Sequence, residues 1–148
     1  SNKHSLTFII TFNTLSYTGF FEYIHNILRL RQEYNTDRQL IWFDVPQLMD
    51  PDFMNPKLMP EMTAEIDRVI EFMQNNKDTE YNEFKGFSDF EISKVQRLKD
   101  WILDDTRFDR QKALKNFKMF WKQHDSRMGT DLNKTFPELQ QYIGSIYE

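Results

Sequence analysis

The segment His124-Asp-Ser-Arg-Met-Gly-Thr130 places an imidazole, a carboxylate and a guanidinium close together in the sequence. The imidazole and the carboxylate can transfer protons in general acid–base catalysis. They also suit the end of a helix, because His124 and Arg127 would interact favourably with its negative carboxyl terminus and Asp125 could hold Arg127 in a bidentate pair. We expect the second interpretation, in which Asp125 and Arg127 are structural, and predict no catalytic residue in this chain.

Metal binding is not predicted either. The chain contains no cysteine, and its three histidines (His4, His25 and His124) are far apart and lack a second ligand at the spacing that metal sites use. Without thiolates, the chain by itself cannot hold an iron–sulfur centre. We interpret each histidine as structural or exposed.

Polar residues follow two apolar runs that predict strands. The first run is followed by Asn13, Thr14 and Ser16, and the second ends at Asp44. Ligand sites of α/β proteins are built at the carboxyl ends of parallel strands. Asn13 and Asp44 are therefore candidates for cofactor binding, and for Asp44 a turn-capping role stays equally open.

These polar residues need a scaffold of parallel strands. β-Branched and aromatic residues predict strands at Leu6–Phe12 and Gln39–Val45, and apolar residues at three- and four-residue steps predict a helix between them, from Phe20 to Glu33. A crossover of this length makes the two strands parallel. Because the first strand is apolar on both sides, we expect it to lie centrally in a sheet, with further strands supplied by upstream sequence or by a second copy.

The predicted fold class is α/β, a βαβ unit with parallel strands followed by a mainly α-helical block. The unit covers residues 3–46, a proline-rich loop covers 47–60, and the helical block covers 61–148. At 148 residues the chain fits one domain, which we place at 3–148.

Two pairs of residues predict helix starts in this block. Ser88 and Glu91 have the spacing of a capping box, in which a hydroxyl and a carboxylate bond to the first backbone amides of a helix. Thr135 and Glu138 have the same spacing. We expect all four residues to be structural, and we expect Gly129 to end the helix before it.

Composition argues against several function classes. A net charge of −4 and a pI near 5.4 do not provide the basic surface of a nucleic-acid binder. The apolar runs are far shorter than the roughly 20 residues that span a bilayer, so no membrane contact is expected. The first residues lack a secretory signal pattern and there is no cysteine to oxidise, which predicts a cytoplasmic location.

Several stretches taken together resemble the C-terminal region of the twitch-type radical S-adenosylmethionine proteins. The most specific one is Asp-x-Arg-x-Gly-Thr at residues 125–130, followed by Phe-Pro-Glu at residues 136–138. The others are Ile41-Trp-Phe-Asp-Val-Pro46, the loop from Pro51 to Pro60, Phe87-Ser-Asp-Phe-Glu-Ile92 and Trp101-Ile102. The resemblance covers almost the whole chain.

This resemblance implies a partial (β/α) barrel whose upstream strands carry a Cys-x-x-x-Cys-x-x-Cys loop. In the full-length parent that loop would bind a [4Fe–4S] cluster and, with it, S-adenosylmethionine, whereas this chain would hold no cofactor. The chain would close and cap the barrel without activity of its own. Asn13 and Asp44 would then lie at the open end of the barrel, near cofactor or substrate.

The expected partner is the upstream part of the barrel. In isolation we expect a homodimer, since the strands would otherwise expose unpaired edges to water. A self-contained α-rich module for protein–protein interaction stays open as the alternative.

Overall fold

The computed structural model describes residues 2–80 and 83–147. In these residues the fold is mixed α/β, with one sheet of two parallel strands and six α-helices. In chain order the elements are β1 (His4–Ile9), α1 (Tyr17–Tyr34), β2 (Gln39–Asp44), α2 (Thr63–Asn75), α3 (Asp89–Leu103), α4 (Arg110–Met128), α5 (Leu132–Thr135) and α6 (Gln140–Ile143). Single 3-10 turns lie at 52–54, 56–58, 60–62 and 137–139.

The predicted strand–helix–strand order is confirmed. β1 and β2 pair in parallel, with Phe8 opposite Phe43 in the ladder. α1 packs against β2, and the Tyr23 ring meets the Phe43 ring edge-on at 6.4 Å. β1 ends at Ile9, three residues before the predicted end, although an isolated parallel bridge still joins Phe12 to residue 47.

In the described residues β1 is an edge strand and is mostly exposed, and its predicted central position, which requires strands from outside this chain, stays a prediction. Five of its six residues are exposed, and Ile9 is 66% exposed. The helices account for this result, because α2 packs on α1 and α3 packs on α2. They extend the helical layer on one side and leave the other face of β1 open.

One cluster of buried apolar side chains runs from α1 through the proline-rich loop and into the helical block. In the loop, Leu58 and Met59 are completely buried. Thr14 ties the same loop to the start of α1, because its buried hydroxyl lies 3.0 Å from the Phe53 carbonyl oxygen and 3.1 Å from that of Asn55. The loop is therefore part of the core.

Two of the three predicted helix boundaries are confirmed. The Ser88 hydroxyl accepts the Glu91 amide at 3.2 Å, and Glu91 accepts the Ser88 amide at 3.1 Å, which completes the capping box of α3. α4 ends at Gly129, whose φ of 67° lies in the left-handed region that glycine adopts without strain.

The predicted capping box of Thr135 and Glu138 is wrong. Thr135 is the last residue of α5, and its hydroxyl donates to the Asp131 carbonyl. Asp131, four residues earlier, caps α5 by accepting the Lys134 amide at 3.3 Å. An aspartate that competes for the same role thus starts the helix one turn before the predicted position.

Candidate functional site

Asn13 lies four residues after the end of β1, and its side chain bonds only to neighbouring backbone. Its Oδ1 accepts the Leu15 amide at 2.8 Å, and its Nδ2 donates to the Thr11 carbonyl at 3.2 Å. The Ser16 hydroxyl accepts the Asn13 amide at 3.0 Å. These bonds form a tight turn that leads into α1, which is a common role for asparagine.

Asp44, the second candidate ligand, is engaged by α3. Its carboxylate lies 2.5 Å from the Lys94 ammonium and accepts the Val45 amide at 2.9 Å. The hydrogen bond from Lys94 is the main reason why the pKa of Asp44 lies below its usual 3.8. In the part of the chain that the structure describes, no hydrogen bond joins Asp44 to Asn13. The two candidates at the carboxyl ends of the strands are therefore not bonded to each other.

Tyr23 lies near the carboxyl ends of the strands, and the sequence did not predict it as a site residue. Its hydroxyl donates to the Phe8 carbonyl at 3.1 Å. Burial, and secondarily the negative charge of Asp44, raise the pKa of Tyr23 to about 12. The phenol therefore stays protonated at neutral pH and acts as a hydrogen-bond donor that fixes α1 on the sheet.

The most extensive polar cluster centres on Arg31, in the buried stripe of α1. The guanidinium forms a bidentate pair with Glu91 at 2.9 and 2.6 Å, and the two side chains are only 3% and 9% exposed. It also donates to the carbonyls of Ile41 at 3.0 Å and Gly86 at 2.9 Å. One side chain thus joins α1, β2, the segment before α3, and α3 itself.

The sequence predicted Glu91 in a capping box but did not predict its pairing with Arg31. The available signal was the position of an arginine within a stripe of Ile24, Ile27 and Leu28. A charged residue in such a stripe requires a buried partner. Glu91 meets this requirement while it also caps α3.

A cleft of about 600 Å³ opens above this cluster, along the outer edge of β2. Trp42 and Phe84 form part of its wall, with their rings edge-on at 6.2 Å. Several of its polar side chains are bonded within the chain, since Lys77 pairs with Asp89 at 2.8 Å and Asp78 accepts the Gly86 amide at 2.6 Å. Among the described residues, the cleft therefore combines an apolar wall with polar side chains that mostly bond to other parts of the protein.

The two edges of the sheet differ. On the outer edge of β2, the Ile41 amide donates to the Asn35 side chain at 2.8 Å, and the Ile41 carbonyl accepts from Arg31. Side chains from the end of α1 therefore occupy both main-chain groups of Ile41, in the middle of this edge, where a further strand would pair. We call this side the closed edge.

On β1 the corresponding positions are open. The His4 amide donates to the Arg38 carbonyl, and the Ile10 amide donates to the Asp44 carbonyl. The main-chain groups of the even-numbered residues therefore point toward β2. By alternation, the main-chain groups of Ser5, Thr7 and Ile9 face the opposite side. No bond to these groups comes from a helix or loop of the described chain. We call residues 5, 7 and 9 the open edge.

At the end of α4, the predicted pair of Asp125 and Arg127 is wrong. Asp125 is 5% exposed and accepts the Thr130 hydroxyl at 2.7 Å, the Leu132 amide at 2.9 Å and the Tyr147 hydroxyl at 3.0 Å. Arg127 is exposed and makes no ion pair within the described residues. The carboxylate faces the core, while a residue two positions later on a helix faces away from it.

These donors account for the acidity of Asp125. Burial alone would raise its pKa, but the hydrogen bonds from Leu132, Thr130 and Tyr147 more than compensate and hold the pKa below its usual 3.8. Asp125 therefore binds the final segment of the chain as a carboxylate. Its partners differ from the predicted one, Arg127, and its assignment as a structural residue stays a prediction.

The histidines do not form a metal site. His25 stacks on Phe72 at 5.4 Å, and His124 packs edge-on against Trp121 at 4.9 Å, 3.8 Å from Asp125. Across residues 2–80 and 83–147, no three side chains of the types that bind metals lie together. Within the same ranges, every helix is too short or too polar to cross a bilayer.

Comparison with family models, with curated proteins and with solved structures finds no match to this chain.

Proposed function

We propose that this chain is the C-terminal part of a radical S-adenosylmethionine protein, in which it supplies the last two strands of a partial barrel and caps them with helices. The observation that carries the proposal is the difference between the edges of the sheet. At the closed edge of β2, Asn35 and Arg31 bond to the Ile41 amide and carbonyl, as expected for the last strand of a sheet. The open edge on β1 leaves a row of main-chain groups for the strand that would precede it.

The faces of the sheet support the same arrangement. In a β/α barrel the helices cover the outside, and the opposite face of the strands lines the interior. Here α1 packs on one face. On the other face Ile9 and Trp42 are 66% and 38% exposed, and in a closed barrel upstream strands would shield them.

The residues of this chain do not fit the cluster of such a protein. It has no cysteine, and iron–sulfur clusters of this type need thiolate ligands. Asn13 and Asp44 are already bonded to Leu15 and Lys94. The proposal therefore assigns cluster and cofactor binding to the upstream part of the parent and gives this chain a role in assembly.

The reading frame upstream of Lys3 tests the proposal. We expect it to encode further strand–helix units and a Cys-x-x-x-Cys-x-x-Cys loop. That upstream part, expressed as a separate chain, should bind this one, and Thr7→Pro should weaken the complex by obstructing the open edge. Thr18→Pro, in the first turn of α1 where proline is tolerated, is the matched control. A reading frame without the cysteine loop would overturn the proposal.

A self-contained interaction module is the second candidate. The observation in its favour is an exposed apolar pair on α4, Phe120 and Met128, which are 41% and 66% exposed and line the same small cleft. Surfaces of this kind often bind other proteins. A reading frame that starts at this chain, together with a binding partner lost on Phe120→Ser and retained on Thr7→Pro, would favour this function over the first.

A further inference from the structure

The open edge lacks the devices that normally protect an exposed strand. Edge strands are commonly blocked by lysine, proline, a bulge or a covering segment. The segment His4–Ile9 contains no lysine or proline, and its pairing with β2 is regular throughout. The closed edge, in contrast, is occupied by Asn35 and Arg31. Further strand pairing is therefore directed to one side of the sheet.

The charge of this strand suits pairing with itself. The whole chain carries a net charge of −4, which opposes association of two copies in general. Within His4–Ile9, however, there is no aspartate, glutamate, lysine or arginine. An antiparallel pair of these strands would place no like charges opposite each other, a juxtaposition that destabilises sheets.

We infer that, in the isolated chain, the open edge pairs antiparallel with the open edge of a second copy, with Thr7 on the two-fold axis. This register uses all three outward-facing residues, since Thr7 meets its own counterpart and Ser5 meets Ile9 of the other copy. It also places Leu6, which is 55% exposed, opposite Phe8 of the other copy. A register centred on Leu6 pairs only two of the three outward-facing residues within the strand.

The face of the sheet opposite α1 is also compatible with this register. Thr7 lies opposite Trp42 in the ladder, so the dimer would form one row of Trp42, Thr7, Thr7 and Trp42 across four strands. Threonine pairs and aromatic–β-branched neighbours are favourable cross-strand contacts. The inference does not depend on the radical S-adenosylmethionine proposal, because it concerns this chain without an upstream strand.

Single cysteines test the register, because the chain has no cysteine of its own. In Thr7→Cys the two Cα atoms would lie about 5.5 Å apart, within reach of a short bis-maleimide. In Ser5→Cys, on the same strand and also exposed, the two thiols would be offset by four residues, or roughly 13 Å. We expect rapid cross-linking of Thr7→Cys and little of Ser5→Cys. A mixture of Ser5→Cys and Ile9→Cys should cross-link between unlike chains.

Sedimentation of variants without cysteine gives an independent test. Thr7→Pro removes an outward donor but no donor to β2, and it should weaken the dimer by more than about tenfold. Thr18→Pro should leave the dimer unchanged, and circular dichroism would verify the fold of both variants. A wild-type chain that is monomeric at high micromolar concentration would overturn the inference. So would a dimer that is insensitive to Thr7→Pro, or equal cross-linking of Thr7→Cys and Ser5→Cys. None of these results would bear on the upstream reading frame.

Discussion

Glu91→Gln is the most informative single change to the stability of this fold. The substitution keeps the shape of the side chain but removes the negative charge that faces Arg31. The two groups are nearly inaccessible to water and lie 2.6 Å apart at the closest approach. The guanidinium would then stay buried with only the carbonyls of Ile41 and Gly86 and a neutral amide as partners.

The expected cost follows from this geometry. Removal of one partner of a buried ion pair generally costs about 3–5 kcal/mol, because the remaining charge is left without compensation. Glutamine keeps one acceptor oxygen, which can replace the Glu91 Oε1 that accepts from both Arg31 and the Ser88 amide, so we expect the lower end, about 3 kcal/mol. The double variant Arg31→Met/Glu91→Leu should still be less stable than wild type, because it also removes the donors to Ile41 and Gly86.

Urea unfolding followed by tryptophan fluorescence measures this cost. The matched control is Glu65→Gln, which removes a carboxylate from the exposed pair with Arg68, whose side chain is 58% exposed. That change should cost less than about 1 kcal/mol. If Glu91→Gln were as stable as Glu65→Gln, the pair would contribute little to the fold and the reasoning would be refuted.

Four further substitutions and one binding experiment have expected outcomes. In urea titrations Asp125→Asn should lower the free energy of unfolding by about 2 kcal/mol, whereas Arg127→Ala, on the exposed side of α4, should change it by less than about 0.5 kcal/mol. Because the folded-state pKa of Asp125 is depressed below 3.8, its contribution is complete above that pH and is lost as the pH falls through the folded value; acid melts of wild type and Asp125→Asn should therefore converge. Gly86→Ala should cost about 2–3 kcal/mol, since a Cβ there would lie 2.2 Å from the Asn76 carbonyl oxygen, and Gly129→Ala about 1 kcal/mol, since its left-handed backbone has open space around it. Calorimetry of the isolated chain should show no saturable binding of S-adenosylmethionine, and reconstitution with iron and sulfide should give no brown absorbance.

Local signals in the sequence predicted local structure well. The capping box of Ser88 and Glu91 and the helix end at Gly129 depend on residues within one turn of each other, and both are confirmed. The failure at Thr135 shows the limit of such rules. The same chemistry was available at Asp131, and the choice between the two starts depends on how the segment packs after α4.

Contacts between distant parts of the chain could not be predicted in this way. Arg31 and Glu91 are sixty residues apart, and Asp125 reaches Tyr147 across twenty-two. The apolar composition of β1 predicted burial on both faces, but composition does not specify which element provides the cover. A strand whose composition suits the centre of a sheet can therefore lie at an open edge, as β1 does among the described residues.

The Arg31 cluster also explains why only one edge of the sheet is open. The guanidinium reaches the Ile41 carbonyl on the outer edge of β2 while Glu91 of α3 holds its other end. Without that anchor, a flexible arginine would lose side-chain entropy whenever it blocked the edge, and it would block the edge less often. The docking of α3 thus both stabilises the fold and keeps β2 closed to further strands. Any further strand pairing is then left to β1.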